Sequence, residues 1–283
     1  MQHLSGFARL AERFDGFVID LWGVVHDGVN PLPGAADCLR RLRDLGKPSV
    51  LLSNAPRRSD VLRAGMRRMG LQDDLYGHIV SSGEAVHEAL RDPPDAWWAG
   101  LGNRVFHLGP IRDRSIIEGL DLTLQDRPEA ADFVLNSGPD DHRNPTDIGE
   151  FEPTLRDCLR AGLPMVCANP DLEVIRGGVR VLCAGALARL YEDWGGQVRS
   201  MGKPDPAIYA PVIARLGLPR AGILAVGDAL RTDIAGAKAA GLASCWVLGG
   251  LHGEALGTDI AAATRAARDA DLEPIAVIPR FVW

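Results

Sequence analysis

The chain has 283 residues, 46 % of them apolar and 24 % charged, with a formal net charge of −6. That balance excludes disordered, collagen-like and coiled-coil classes, and the length suits about two domains. A nucleic-acid backbone binder would carry a basic excess instead. Residues 1–13 carry His3, Arg9, Glu12 and Arg13 and no apolar run, so no signal peptide is expected. Apolar runs stay far short of the ~20 residues of a membrane span. The five cysteines (Cys38, Cys158, Cys167, Cys183, Cys245) are scattered and never spaced as CxxC. They read as buried thiols in a reducing compartment. The expectation is a cytoplasmic protein with no membrane and no nucleic-acid partner.

Residues 17–21 (Phe-Val-Ile-Asp-Leu) predict a buried strand. After Pro33-Gly34, Leu39, Leu42 and Leu45 fall at helical spacing. A strand over 49–52 follows. Ser59 is the expected N-cap of a helix carrying Leu62, Met66 and Met69. Residues 78–80 predict a third strand, and a helix runs through Ala85 and Leu90. Arg91-Asp92-Pro93-Pro94-Asp95 then breaks the pattern. Further β segments are expected at 105–106, 133–135 and 165–167, before a second break at Gly195-Gly196. A helix over 206–216, a strand over 223–226, a helix over 234–240 and a strand over 244–248 complete the chain. Such alternation predicts an α/β fold, a Rossmann-like doubly wound, mostly parallel sheet. The core is expected at 1–89 and 197–283, with 90–196 as an inserted α/β cap domain.

Four features sit at strand ends, where open α/β sheets place their ligands. Asp20 closes an apolar strand, a costly place for a carboxylate unless it is solvated, paired or metal-bound. Ser53 and Asn54 follow the second strand, where a hydroxyl and a backbone N–H suit phosphate oxygens. Lys203 lies in Met201-Gly202-Lys203-Pro204-Asp205. Gly227-Asp228 follows the strand over 223–226, and Thr232-Asp233 comes next. Singly, each is an ordinary turn, cap or loop. Jointly, in this order, they resist a purely structural reading.

The order resembles the haloacid dehalogenase superfamily, mostly phosphatases and phosphotransferases. Leu52-Ser53-Asn54-Ala55-Pro56-Arg57, then Ala168-Asn169-Pro170-Asp171 with Gly185-Ala186-Leu187, and Gly202-Lys203-Pro204 resemble its class IIA (NagD-like) branch. The resemblance implies a C2-type cap and an Mg²⁺-dependent phosphatase acting on a small phosphorylated metabolite. Asp20 would attack phosphorus to give an aspartyl-phosphate. Asp20, the backbone carbonyl of Trp22 and Asp228 would bind Mg²⁺, with Asp233 in the second shell. Lys203 would neutralise Asp20 and a phosphate oxygen, and Ser53 and Asn54 would hold the remaining oxygens. A homodimer through the cap is also implied.

One position departs from the family. Its Asp-x-Asp has Trp22 as the third residue here, and tryptophan cannot act as the general acid and base. Three accounts stay open. The first is a phosphatase with a good leaving group or a borrowed acid, His26 and Asp27 being candidates. A plain turn at His26-Asp27-Gly28 is the favoured reading of those residues. The second is dehalogenase-like chemistry, disfavoured because Asp228 and Asp233 are retained. The third is a catalytically weak protein that binds a phosphorylated ligand and regulates something.

Other residues carry weaker signals. Trp97-Trp98 reads as a buried anchor in preference to a ligand platform. Asn169-Pro170-Asp171 is either a cap strand end facing the core or a structural turn. His107, Arg112, Arg114, His142 and Arg143 could meet an anionic substrate, but each reads as a surface group. Cys167 and Cys183 read as packing residues.

Overall fold

The computed structural model describes residues 1–251, 253 and 259–283. Strands β1 (Gln2–His3), β2 (Gly16–Ile19), β3 (Ser49–Ser53) and β4 (His78–Ser81) come first. Then follow β5 (Arg104–Leu108), β6 (Thr123–Gln125), β7 (Phe133–Asn136), β8 (Met165–Cys167), β9 (Glu173–Arg176), β10 (Val179–Leu182) and β11 (Val198–Ser200). The chain closes with β12 (Ile223–Gly227), β13 (Ala243–Val247) and β14 (Ala276–Ile278).

These strands form two sheets and a hairpin. The first sheet has the order β1-β14-β13-β12-β2-β3-β4, every pairing parallel. The second has the order β11-β8-β7-β5-β6, also parallel. An antiparallel hairpin, β9–β10, stands apart from both. The fold is thus α/β and Rossmann-like, as the alternation predicts.

Strands β2, β3 and β12 are buried along their whole length. Parallel strands covered by helices on both faces need such apolar runs. Alternation divides them between two cores. Phe17 and Ile19 pack with Leu10, Leu39 and Leu51 on one face. Val18 packs with Val50, Tyr209 and Val212 on the other. The spatial order makes β2 the neighbour of both β3 and β12. It therefore brings together the ends that carry Asp20, Ser53 and Asp228, although 175 residues separate the outer two strands' sequence neighbours Ser53 and Asp228.

Some elements differ from the sequence reading. Gly195-Gly196 is a turn inside the second unit rather than its end. Beyond it, β11 hydrogen-bonds to β8, so the second sheet runs past the expected 196/197 boundary. Ser59 is the first helical residue of Ser59–Arg68, not its N-cap, and Arg58 holds the cap position. Glu84 does the capping from another helix, accepting from the Ser59 amide at 2.8 Å and from Arg58 Nε at 2.9 Å. The helix expected over 206–216 is a 3₁₀ turn, Pro206–Tyr209, followed by an α-helix, Ala210–Leu216. Pro211 has no N–H, so one α ladder cannot run through it. Residues Leu230–Ile234 form a wide π-turn before the helix Ala235–Ala239. Among the described residues, no helix is long and apolar enough to cross a membrane.

Candidate active site

Asp20 follows β2 directly. Its amide donates to the Val226 carbonyl at 2.9 Å, which fixes it beside β12. Lys203 arrives from the loop after β11, and its buried ammonium uses all three hydrogens. It donates to Asp20 Oδ1 at 2.7 Å, to Asp233 Oδ1 at 2.6 Å and to the Leu52 carbonyl at 3.1 Å. Burial alone would lower the Lys203 pKa, but Asp20 and Asp233 together raise it well above the usual value. The ammonium stays charged.

The carboxylates are crowded. Burial, then the charge of Asp233, pushes Asp20 well above the usual carboxylate range, with Lys203 opposing. Burial and Asp233 likewise push Asp228 up to about 8. Asp228 Oδ2 accepts from the Leu251 amide at 2.6 Å. The peptide after Trp22 presses against the same carboxylate: a Cβ on Gly23 (φ +77°) would lie 2.1 Å from Oδ2. Asp233 gives Oδ1 to Lys203 and Oδ2 to the Ala229 amide at 3.0 Å. The π-turn supplies that inward aim.

One oxygen from each of Asp20, Asp228 and Asp233 lies within 4.8 Å of the other two. With one lysine among them, the ionised cluster keeps two uncompensated negative charges in a buried place. A hard divalent cation with oxygen ligands fits that donor set.

Ser53 and Asn54 stand on the far side of Asp20. Ser53 is buried, and its hydroxyl oxygen accepts from the Ala55 amide at 3.2 Å, which leaves its hydrogen free to donate. The Asn54 side chain is a crosspiece. Its Oδ1 accepts from the Lys203 amide at 2.8 Å and Ser82 Oγ at 3.2 Å. Its Nδ2 donates to Asp171 Oδ1 and to the Lys203 carbonyl, both at 3.0 Å. Asp171 therefore meets the core site, the outcome left open for Asn169-Pro170-Asp171. Only the backbone N–H of Asn54 was anticipated from sequence. The fourfold use of its side chain carries no sequence signal.

Trp22 turns its indole toward the hairpin. Its Nε1 donates to the Ile175 carbonyl of β9 at 2.9 Å. The ring lies edge-on to His26, with centroids 5.5 Å apart. Gly28 (φ +86°) packs under it, and a Cβ there would lie 2.1 Å from Cη2. Gly28→Ala is therefore expected to cost ~1–3 kcal/mol, readable in a denaturant titration, and to weaken the hairpin contact.

His26 is not a free proton shuttle. Burial, then Arg57, lowers its pKa to about 4, and its Nδ1 accepts from the Gly28 amide at 3.0 Å. Asp27 Oδ1 accepts from the Val29 and Asn30 amides at 2.8 and 2.6 Å. The segment is the tight turn favoured from sequence.

A cleft of about 870 Å³ opens from Asp20 and Lys203 toward the hairpin and the second sheet. Of the five cap-region cations, Arg112 alone lines it. His107 sits behind, bonded to Ser137 Oγ at 2.9 Å. Arg143 pairs with Asp140, while Arg114 and His142 are exposed. Trp98 is buried among Val86, Val105 and Phe133, so it anchors packing. Cys167 and Cys183 are buried, and burial raises both thiols, Cys167 to about 11. Arg57 and Asp113 also line the cleft, and sequence reading gave neither a role.

Comparison with known proteins agrees with this geometry. A family model described as haloacid dehalogenase-like hydrolase matches residues 17–123, and a HAD-hydrolase-like model matches 200–272. A solved hydrolase of the haloacid dehalogenase-like family from Brucella suis 1330 superposes with a TM-score of 0.82 at 32 % identity. That alignment covers 99 % of this chain and 100 % of the other. The 4-nitrophenylphosphatase of Schizosaccharomyces pombe is 28 % identical over 88 % of each chain. The ribonucleotide monophosphatase NagD of Escherichia coli is 25 % identical over 83 % of this chain and 87 % of its own. The strand-end carboxylates, the bridging lysine and these matches together make the chain a member of the haloacid dehalogenase-like hydrolases, in their NagD-like branch.

Proposed function

We propose that this protein hydrolyses small phosphate monoesters with Asp20 as nucleophile. One observation carries the reading: Lys203 bridges Asp20 and Asp233, with Asp228 alongside and Ser53 at the next strand end. Asp20 Oδ1 is held by Lys203, and among the described residues Oδ2 accepts no hydrogen bond. Oδ2 attacks phosphorus, the bond to the leaving oxygen breaks, and that oxygen takes its proton from solvent water, since Trp22 supplies none. A second water then attacks the aspartyl-phosphate, releases inorganic phosphate, gives up its proton to solvent and regenerates the Asp20 carboxylate. Ser53 and the Asn54 N–H hold the remaining phosphate oxygens, and Lys203 balances charge at Asp20. Asp20, the Trp22 carbonyl and Asp228 would hold Mg²⁺, with Asp233 steadying the set through Lys203 and Ala229. Such an ion, when bound, neutralises the repulsion between a phosphate and a carboxylate nucleophile. Residues around the second sheet and the hairpin act as the cap and exclude water from the cleft.

The test uses p-nitrophenyl phosphate, the substrate in a relative's name. Release of p-nitrophenol with Mg²⁺ and its loss in EDTA are expected. Turnover of 2-haloacids in EDTA would instead establish dehalogenase-like chemistry.

A second reading rests on Trp22, whose indole N–H is bonded to Ile175 and serves no proton transfer. The protein would then bind a phosphorylated ligand and turn it over poorly. Trp22→Asp separates the two. General acid–base help is worth about 10²–10⁴-fold, so a phosphatase lacking only its acid gains ~10²-fold or more in kcat. Unchanged turnover with tight binding of inorganic phosphate favours the binding protein.

A further inference from the structure

The cleft has a second charged region beyond the carboxylates. Arg57 lies in the short loop between β3 and the helix Ser59–Arg68 and lines the same cleft as Ser53 and Asn54 of the proposed phosphate site. Its side chain is 27 % exposed, and Nε lies 3.3 Å from Asp113 Oδ1, whose own side chain is 4 % exposed. The contact has poor geometry: neither Arg57 Nε nor Asp113 Oδ1 makes a hydrogen bond. A half-buried guanidinium joined so loosely to its counter-ion is incompletely compensated.

Its neighbours add to the imbalance. Burial, together with the charges of Arg112 and Arg176, holds Arg57 below its usual pKa despite Asp113. Arg176, at the tip of β9, lines the same cleft, and among the described residues it has no ion pair or side-chain hydrogen bond. Among the described residues, Arg112 is tied only to the exposed Asp141, at 2.6 Å. The acidic groups of this region are engaged elsewhere. Asp27 holds two backbone amides, Asp171 holds Asn54, and Glu173 pairs with Arg180. Guanidinium groups recognise carboxylate and phosphate in a two-point fork.

We propose that Arg57 and Arg176, with Arg112 at the rim, form a second anion subsite that binds a carboxylate or phosphate on the leaving-group side of the substrate. This rests on reading the chain as a phosphatase. The preferred substrates are then phosphate monoesters that carry a further oxyanion. Asp113 keeps Arg57 in place while the subsite is empty.

Two matched pairs of probes test this with Mg²⁺ present. 3-Phosphoglycerate differs from glycerol 3-phosphate by a carboxylate in place of a hydroxymethyl group. Fructose 1,6-bisphosphate differs from fructose 6-phosphate by a second phosphate. A charge-assisted hydrogen bond corresponds to roughly 10–100-fold. Within the matching pair, kcat/KM is expected to favour the probe with the additional oxyanion by at least that lower factor. The pair that discriminates tells carboxylate from phosphate. Arg176→Gln, an exposed change, should bring the ratio close to one, as should Arg57→Gln. Ratios near one in the wild type for both pairs overturn the subsite, and so do ratios that survive both substitutions. Calorimetry on Asp20→Asn with Mg²⁺ reads the same preference as binding of the four probes. If no probe is hydrolysed but that preference appears, the phosphatase reading fails and the subsite stands. Equal turnover and equal binding within each pair defeat the subsite and leave the phosphatase.

Discussion

Asp20→Asn is expected to lower hydrolysis of p-nitrophenyl phosphate by at least about 10³-fold, while the metal-free protein melts no lower than the wild type. The two effects have one cause. Asp20 is kept as a carboxylate beside Asp233 and Asp228 in a buried place, and its folded pKa is raised well above the usual value. A carboxyl raised in this way favours the fold in its protonated form. Its share of stability is lost as pH rises from the ordinary carboxylate value through the raised one. Asparagine is neutral throughout, so the variant does not lose that share. Lys203 keeps Asp233 as a partner in the variant. Melting curves in EDTA at pH 5 and pH 8, with the activity assay, check both halves. Hydrolysis that survives in Asp20→Asn sinks the covalent mechanism.

The second large effect belongs to Lys203. Lys203→Met removes the one cation between two buried carboxylates and strips three hydrogen bonds at once. Breaking a buried ion pair from one side costs ~3–5 kcal/mol. For a chain of this size that lowers the metal-free Tm by about 10 °C. Turnover should fall by at least about 10²-fold, because the charge at Asp20 is no longer balanced. Scanning fluorimetry in EDTA reads the first result and p-nitrophenol release the second. A melting temperature equal to that of the wild type would mean that Lys203 does not hold the carboxylates together.

The contrast between these two variants follows from where the charges come from. Asp20, Asp228 and Asp233 are buried close together, and their mutual repulsion makes this place a weak point of the fold. The lysine offsets part of that repulsion. A site of this kind loses stability when its cation goes and not when one anion goes.

Much of the site was legible from order alone. Asp20, Ser53 and Asp228 each end an apolar strand, and a polar residue at such a place is visible without coordinates. Lys203 lay in a loop, and only its place in the order gave it weight. The sheet explains why order sufficed. In a doubly wound parallel sheet all strand ends of one sense lie on one edge, whatever their separation along the chain. That the Trp22 side chain offers no proton to transfer was legible in the sequence. Its positive role, an N–H to Ile175, was not, because the partner is a backbone carbonyl 153 residues away. No side-chain type marks a carbonyl.

Similar limits explain the misplaced elements. Ser59 has the chemistry of an N-cap, yet Glu84 from another helix reaches the same amide. A local rule gave way to a tertiary contact of greater charge. Gly195-Gly196 looked like the end of the second unit, but the strand after it, Val198–Ser200, is short and half polar. Only its pairing with Met165–Cys167 shows where it belongs.

By itself the sequence determined the fold class, the family and the residues at the strand ends. Strand periodicity and the order of polar ends are local properties, and local properties survive in a string of letters. Tertiary structure alone decided which atoms meet: the three acceptors of Lys203, the fourfold bonding of Asn54, the indole of Trp22 against the hairpin, and Arg57 beside Asp113. Those contacts join segments far apart in the chain through distances of about 3 Å, and no spacing rule reaches that far.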